Sequence, residues 1–193
     1  MPLTPGEHAV VGLEPVTACF GPLSHPTRST DVVYAVHGGD RVTILIDAAE
    51  TGGAFDVVEV LVQPGRGAPP HCHAFAEWFY ILDGAVQFLT ASCGALQPTA
   101  IVERGGTYVV PPWAPHALQN TTATPVRFLL AGQPGVMSSY FANARVRIRD
   151  AQSRPSVPPP SPSALGKLAA RHGIHLLDGS RAPIAVSGAF EVQ

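Results

Sequence analysis

What most constrains this chain is its punctuation: from about residue 30 to residue 131, every apolar run is cut short by Gly, Pro, Asn or Asp. A packed helix needs roughly 10–12 residues of uninterrupted 3.6-residue periodicity, whereas a strand needs only about 4–8 residues between turn signals. Twenty prolines and 19 glycines in 193 residues leave room mainly for strands. Strands are predicted at 32–36, 41–47, 55–63, 71–73, 78–82, 85–91, 101–103, 107–110, 116–120 and 126–131. Gly38-Gly39-Asp40 separates the first two, and Asp83-Gly84 is a strong hairpin signal that predicts 85–91 returning against 78–82. Short strands at near-regular spacing predict an all-β sandwich or barrel.

The ends read differently. Residues 1–29 are rich in Pro and Gly and are predicted to form an N-terminal arm, with the β-domain over 30–150. Residues 151–163, within which SRPSVPPPSPS falls, read as a Pro-rich linker. Residues 164–193 then read as a C-terminal helix and tail, the helix capped by Ser163 and ended by Gly173.

Hydrophobic residues at 46% and charged residues at 13% place the chain on the folded side of the disorder boundary. A net charge of -2 without a basic run argues against nucleic acid as a partner. Cys19, Cys72 and Cys93 are odd in number and widely spaced, which predicts free thiols in a reducing compartment. The opening MPLTPGEHAVVGLEP shows neither a secretory signal nor a membrane anchor, so a cytoplasmic protein that engages no membrane is expected.

His71 and His73 are two residues apart, so on a strand both rings point to one face and Cys72 points to the other. Glu77 opens the apolar run 78–82 and by alternation shares a face with Phe79 and Ile81. A carboxylate there is costly unless it is paired, protonated or bound to a cation, or sits at the rim in solvent. His116 follows Pro111-Pro112-Trp113-Ala114-Pro115 at the start of another strand. Three imidazoles and one carboxylate suit one divalent transition metal ion (Fe, Mn, Ni, Co, Cu or Zn) and leave positions open for substrate.

Gly65, then His71-Cys72-His73, Glu77 and Gly84, followed after about twenty residues by Gly105, Pro111, His116 and Asn120, resemble the two-part motif of the cupin superfamily. The resemblance runs from about 51 to 132 and departs at Trp113, where the family usually has glycine. It implies a double-stranded β-helix, or jelly-roll barrel, with His71, His73, Glu77 and His116 holding the ion at one mouth. A Trp at a position of positive φ would be strained, so a different turn is expected, with the indole either covering the pocket or packing outside it. Phe79, Ile81 and Leu118 are the expected pocket wall, with Phe55, Val57 and Glu59 next. Residues 78–82 are apolar on both faces, so the outer face needs a cover, and a homodimer is the expectation.

The layout TGGAF, EWFYILDG and a C-terminal HGI resembles small bacterial cupins of the quercetin-dioxygenase-like kind. That resemblance implies a metal-dependent dioxygenase acting on a small aromatic, flavonol-like or polyketide-like substrate, with Glu77 as ligand and proton acceptor. The alternatives are a metal-dependent isomerase or cyclase without redox change, and a non-catalytic module that binds a small molecule.

Overall fold

The computed structural model describes residues 33–35, 40–92, 95–144, 146–148 and 161–177. The predicted arm over 1–29 and the tail beyond 177 lie outside the described residues. The strands are β1 (Val33–Ala35), β2 (Arg41–Ile46), β3 (Asp56–Val62), β4 (Gly67–His73), β5 (Ala76–Asp83) and β6 (Ala85–Ser92). They continue with β7 (Ala95–Glu103), β8 (Thr107–Val110), β9 (His116–Gln119), β10 (Val126–Gln133), β11 (Val146–Ile148) and β12 (Ile174–Leu176). Two helices, α1 (Met137–Ala144) and α2 (Pro162–Arg171), complete the described elements.

All pairings between these strands are antiparallel. One sheet has the order β11-β1-β2-β3-β10-β5-β8 and the other β12-β4-β9-β6-β7. The inner faces enclose Phe79, Phe88 and Phe128, whose rings lie 5.0 and 5.8 Å from Phe79, together with Ile81, Val58, Val86 and Val126. This is the all-β layout expected from the spacing of the turns, arranged as the jelly roll that the resemblance implies.

Asp83-Gly84 makes the predicted tight turn, with Gly84 at φ 78° and its N–H donating to Asp83 Oδ1 at 3.1 Å. It does not make the predicted hairpin. β5 pairs with β10 and β8, whereas β6 pairs with β7 and β9, so the turn carries the chain from one sheet to the other. A Cβ on Gly84 would also meet Val126 at 3.3 Å.

Two strands run at least four residues farther than their sequences suggest, in each case through proline. Pro98 is tolerated in β7 because β7 is an edge strand, where a missing donor costs no ladder bond. In β4, Pro69 and Pro70 fall in a bulge: between the pairs Ala68–Leu118 and His71–His116, three steps along β4 answer two along β9. Gly67 sits against the Leu118 carbonyl with no room for a side chain.

Helix α1 has no predicted counterpart. Its sequence MSSYFANA has weak helix propensity and no local cap, and its N-terminus is capped from a distance. The fully buried Asp56 of β3 accepts from Ser138 N at 2.6 Å and from Gly132 N at 3.3 Å, while Ser138 Oγ accepts from Ala48 N at 3.3 Å. Helix α2 starts two residues before the predicted 164. Ser161 is the N-cap, accepting from Ala164 N at 3.2 Å, and Pro162 fits the first turn, where its missing N–H is not needed. The linker predicted over 151–163 therefore ends earlier, and 149–160 lie outside the described residues. Among the described residues no helix is long and apolar enough to cross a membrane.

Candidate metal centre

The β4 bulge places His71 directly opposite His116, and with His73 two residues on they bring three rings to one end of the barrel interior. Ring centroids lie 4.1 Å apart for His71–His116, 5.0 Å for His73–His116 and 5.5 Å for His71–His73. Glu77 joins them from β5, where it shares the buried face with Phe79 and Ile81 as alternation requires. All four residues are buried, and one ligand atom from each lies within 4.8 Å of every other.

Each imidazole is oriented by the backbone in the same way. His71 Nδ1 bonds the Pro69 carbonyl at 2.8 Å, His73 Nδ1 that of Phe75 at 2.8 Å, and His116 Nδ1 that of Ala114 at 2.9 Å. A carbonyl can only accept, so every Nδ1 carries the proton and every neutral ring presents a bare Nε2 to the centre. His73 is also held flat against Phe75, with ring centroids 3.8 Å apart and planes 6° from parallel.

The Nε2 atoms converge on a carboxylate: His116 Nε2 is 3.1 Å and His73 Nε2 3.2 Å from Glu77 Oε2. Lone pairs facing a carboxylate repel unless second protons or a cation lie among them. His73 Nε2 is, moreover, fully buried with no hydrogen-bond partner. Buried nitrogens of this kind are rare, and a metal ion satisfies this one together with its neighbours. The donor set thus fits a divalent transition metal, with His71, His73, Glu77 and His116 as its holders.

Electrostatics agree with that assignment. Burial makes charge expensive for Glu77, but second protons on the Nε2 atoms of His116 and His73, donating to the carboxylate and facing it with positive charge, outweigh burial and hold the carboxyl down to about 2; a cation among the four residues acts in the same direction. Burial, reinforced by His116, lowers His71 to about 4, so it stays neutral and ready to ligate at neutral pH. Cys72 lies on the other face of β4, is buried, and stands outside the cluster; burial raises its thiol pKa.

A cavity of about 140 Å³ opens from this centre into the barrel. His71, Glu77 and His116 face it and His73 does not, so the open side of the donor set points into the cavity. Of the expected wall, Phe79 and Leu118 line it. Ile81 is fully buried but lies two residues farther along the strand, in the core and not on the cavity. Val57 and Glu59 are half-exposed because the inward register of β3 is Asp56, Val58, Val60 and Val62, one residue out from the expectation. Phe55 is 41% exposed ahead of that strand. Val42, Val60, Val62, Phe128 and Leu130 line the cavity instead, with Asp40. Period-two alternation in β3 was legible, but its phase is set by which neighbour it pairs.

Trp113 adopts the left-handed backbone that favours glycine, with φ at 63°, so the expected change of turn does not occur and the strain is accepted. Its N–H bonds the His73 carbonyl at 2.6 Å, and its indole packs outside the cavity, 45% exposed, with its ring 5.8 Å from that of His175. The walls that sequence reasoning missed come from α1, α2 and β12, through Met137, Tyr140, Phe141, Leu165, Ile174 and Leu176.

Residues 58–132, the stretch holding both halves of the motif, match the family model described as a cupin domain. This segment is similar to a cupin domain. Solved structures similar to the chain include the polyketide cyclase RemF from Streptomyces resistomycificus, at 23% identity and a TM-score of 0.49 over 57% of this chain and 79% of the cyclase. An RmlC-like cupin from Shewanella frigidimarina matches at 15% identity and a TM-score of 0.47 over 57% of this chain and 91% of its own. Oxalate decarboxylase from Lactobacillus farciminis matches at 26% identity and a TM-score of 0.44 over 51% of this chain, which spans only 30% of the decarboxylase. No curated protein matches the chain significantly.

Proposed function

We propose that the protein is a mononuclear metal-dependent dioxygenase whose substrate is a small phenol or enol held in the cavity beside the cupin metal site. The observation that carries the reading is the open face of the donor set: His71, Glu77 and His116 border an otherwise largely apolar cavity. When bound, the cation supplies Lewis acidity and, if redox-active, a partner for oxygen chemistry.

The remaining roles fall to residues of the chain. Three backbone carbonyls hold the imidazoles in one tautomer, which preorganises the site. Glu77, kept ionised, is an anionic ligand first. So weak a base accepts a proton only from a substrate hydroxyl made comparably acidic. The wall of Phe79, Phe128, Leu118 and Leu130 excludes water and favours a flat apolar body. At about 140 Å³ the cavity is close to the roughly 150 Å³ that suffices for a benzene-sized guest, so one ring fits inside and a larger substrate must extend through the mouth. As part of the same reading we propose a homodimer that covers the outer face of β5 and β8. There Trp78 and Val109 are cross-strand neighbours and both are exposed.

The test begins with elemental analysis of the purified protein and of a Glu77→Ala, His116→Ala double variant, followed by oxygen uptake with monocyclic enols and catechols. About one redox-active metal per chain, lost in the variant, together with substrate-dependent oxygen consumption supports the proposal. Turnover without oxygen uptake that persists with Zn(II) would replace it by an isomerase or cyclase. A wild type that refuses every metal would replace it by a binding module.

A further inference from the structure

The metal ligands all lie within 58–132, yet much of the cavity wall lies outside that stretch. Leu165 of α2 and Ile174 and Leu176 of β12 line it from one side, and Met137, Tyr140 and Phe141 of α1 from beside them. The C-terminal segment is fastened to the site by three separate contacts. β12 pairs along the ligand strand itself, Ile174 opposite His73 and Leu176 opposite His71. His172, at the end of α2, reaches α1, with Nδ1 3.3 Å from Ser139 Oγ and Nε2 3.4 Å from Asn143 Nδ2. The indole of Trp113, held in place by its bond to the His73 carbonyl, lies against His175 between the two lining residues of β12.

Resting on the reading of the cavity as a substrate site, we propose that 161–177 is its specificity wall: Leu165 and Ile174 limit the cavity to a single-ring phenol or enol and turn away fused-ring analogues. Leu165 sits half-buried on an amphipathic helix that packs against α1 and β12, and Ile174 is 6% exposed. Trimming either residue to alanine opens space next to the cavity without touching a ligand. A buried apolar wall discriminates by size with factors of roughly 10–200 per methylene-scale change, so the effect is measurable.

The test uses the full-length, metal-free protein, with phenol and 2-naphthol as probes and calorimetric titration as the readout. The wild type is expected to bind phenol at least roughly tenfold more tightly than 2-naphthol. Leu165→Ala and Ile174→Ala are each expected to raise 2-naphthol affinity by roughly tenfold relative to phenol affinity. Leu165→Phe, which fills space, is expected to weaken phenol by a similar factor, so one informative variant remains if a trimmed one fails to fold. Unchanged 2-naphthol affinity in both alanine variants overturns the wall, as does a wild type that binds neither probe. Because metal and turnover are absent from this assay, loss of the dioxygenase reading in oxygen uptake leaves its outcome intact, and the two failures are told apart.

Discussion

Acidifying the metal-free protein should cost it a definite amount of stability through His71 alone. The folded ring resists protonation down to about 4 because it is buried beside His116, whereas the unfolded ring takes its proton near 6.5. Above pH 6.5 both states are neutral and the ring has no effect. As pH falls from 6.5 towards 4, only the unfolded state gains the proton, so the folded state loses ground. The linkage relation puts the loss at about 2 kcal/mol by about pH 5 and about 3 kcal/mol once the folded ring titrates. The assay is urea denaturation of chelator-stripped protein near pH 7.5 and pH 5, on the wild type and on His71→Asn, whose amide keeps an N–H for the Pro69 carbonyl but cannot titrate. The variant should lose about 2 kcal/mol less than the wild type between the two conditions. Equal losses would refute the buried, neutral state of His71 and with it the readiness of that ligand at neutral pH.

Trp113→Gly should be more stable than Trp113→Ala by about 0.5–1 kcal/mol in denaturant titrations, because both lose the indole and only alanine retains the penalty at φ 63°; an alanine variant as stable as the glycine one would contradict the strain. Asp56→Ala should cost about 3 kcal/mol by thermal or urea unfolding, since it strands the buried N–H groups of Ser138 and Gly132, and a loss below about 1 kcal/mol would show that α1 does not depend on this cap. Chelation should leave the barrel folded by circular dichroism, and restoring metal at a hundredfold excess over its dissociation constant should add about 2.7 kcal/mol of stability; unfolding on chelation would make the site structural. Light scattering should give twice the 20.2 kDa chain mass, reduced to one chain by Trp78→Lys, and a monomeric wild type would remove the proposed dimer.

The candidate metal ligands were legible as a cluster from sequence because their geometry is local in character. A His-x-His pair is useful only on a strand, and a carboxylate heading an apolar run needs a reason to be there. The turn at Asp83-Gly84 and the strand 107–110 were legible on the same grounds, since turn chemistry and period-two alternation act over a few residues. Tertiary structure alone decided the partner of each strand. β5 turns at Gly84 into the opposite sheet, β7 runs through Pro98 because it is an edge, and β3 presents Val58 and Val60 inward where Val57 and Glu59 were expected. Register is a property of pairs, and a one-residue change of phase reverses every side chain while leaving the alternation of the sequence unchanged. The same holds for the cap of α1, which Asp56 supplies from about eighty residues away, and for the wall formed by Leu165, Ile174 and Leu176. Nothing near those residues in the chain reports that they meet the metal cavity, because the contacts that place them are made only once the barrel has closed.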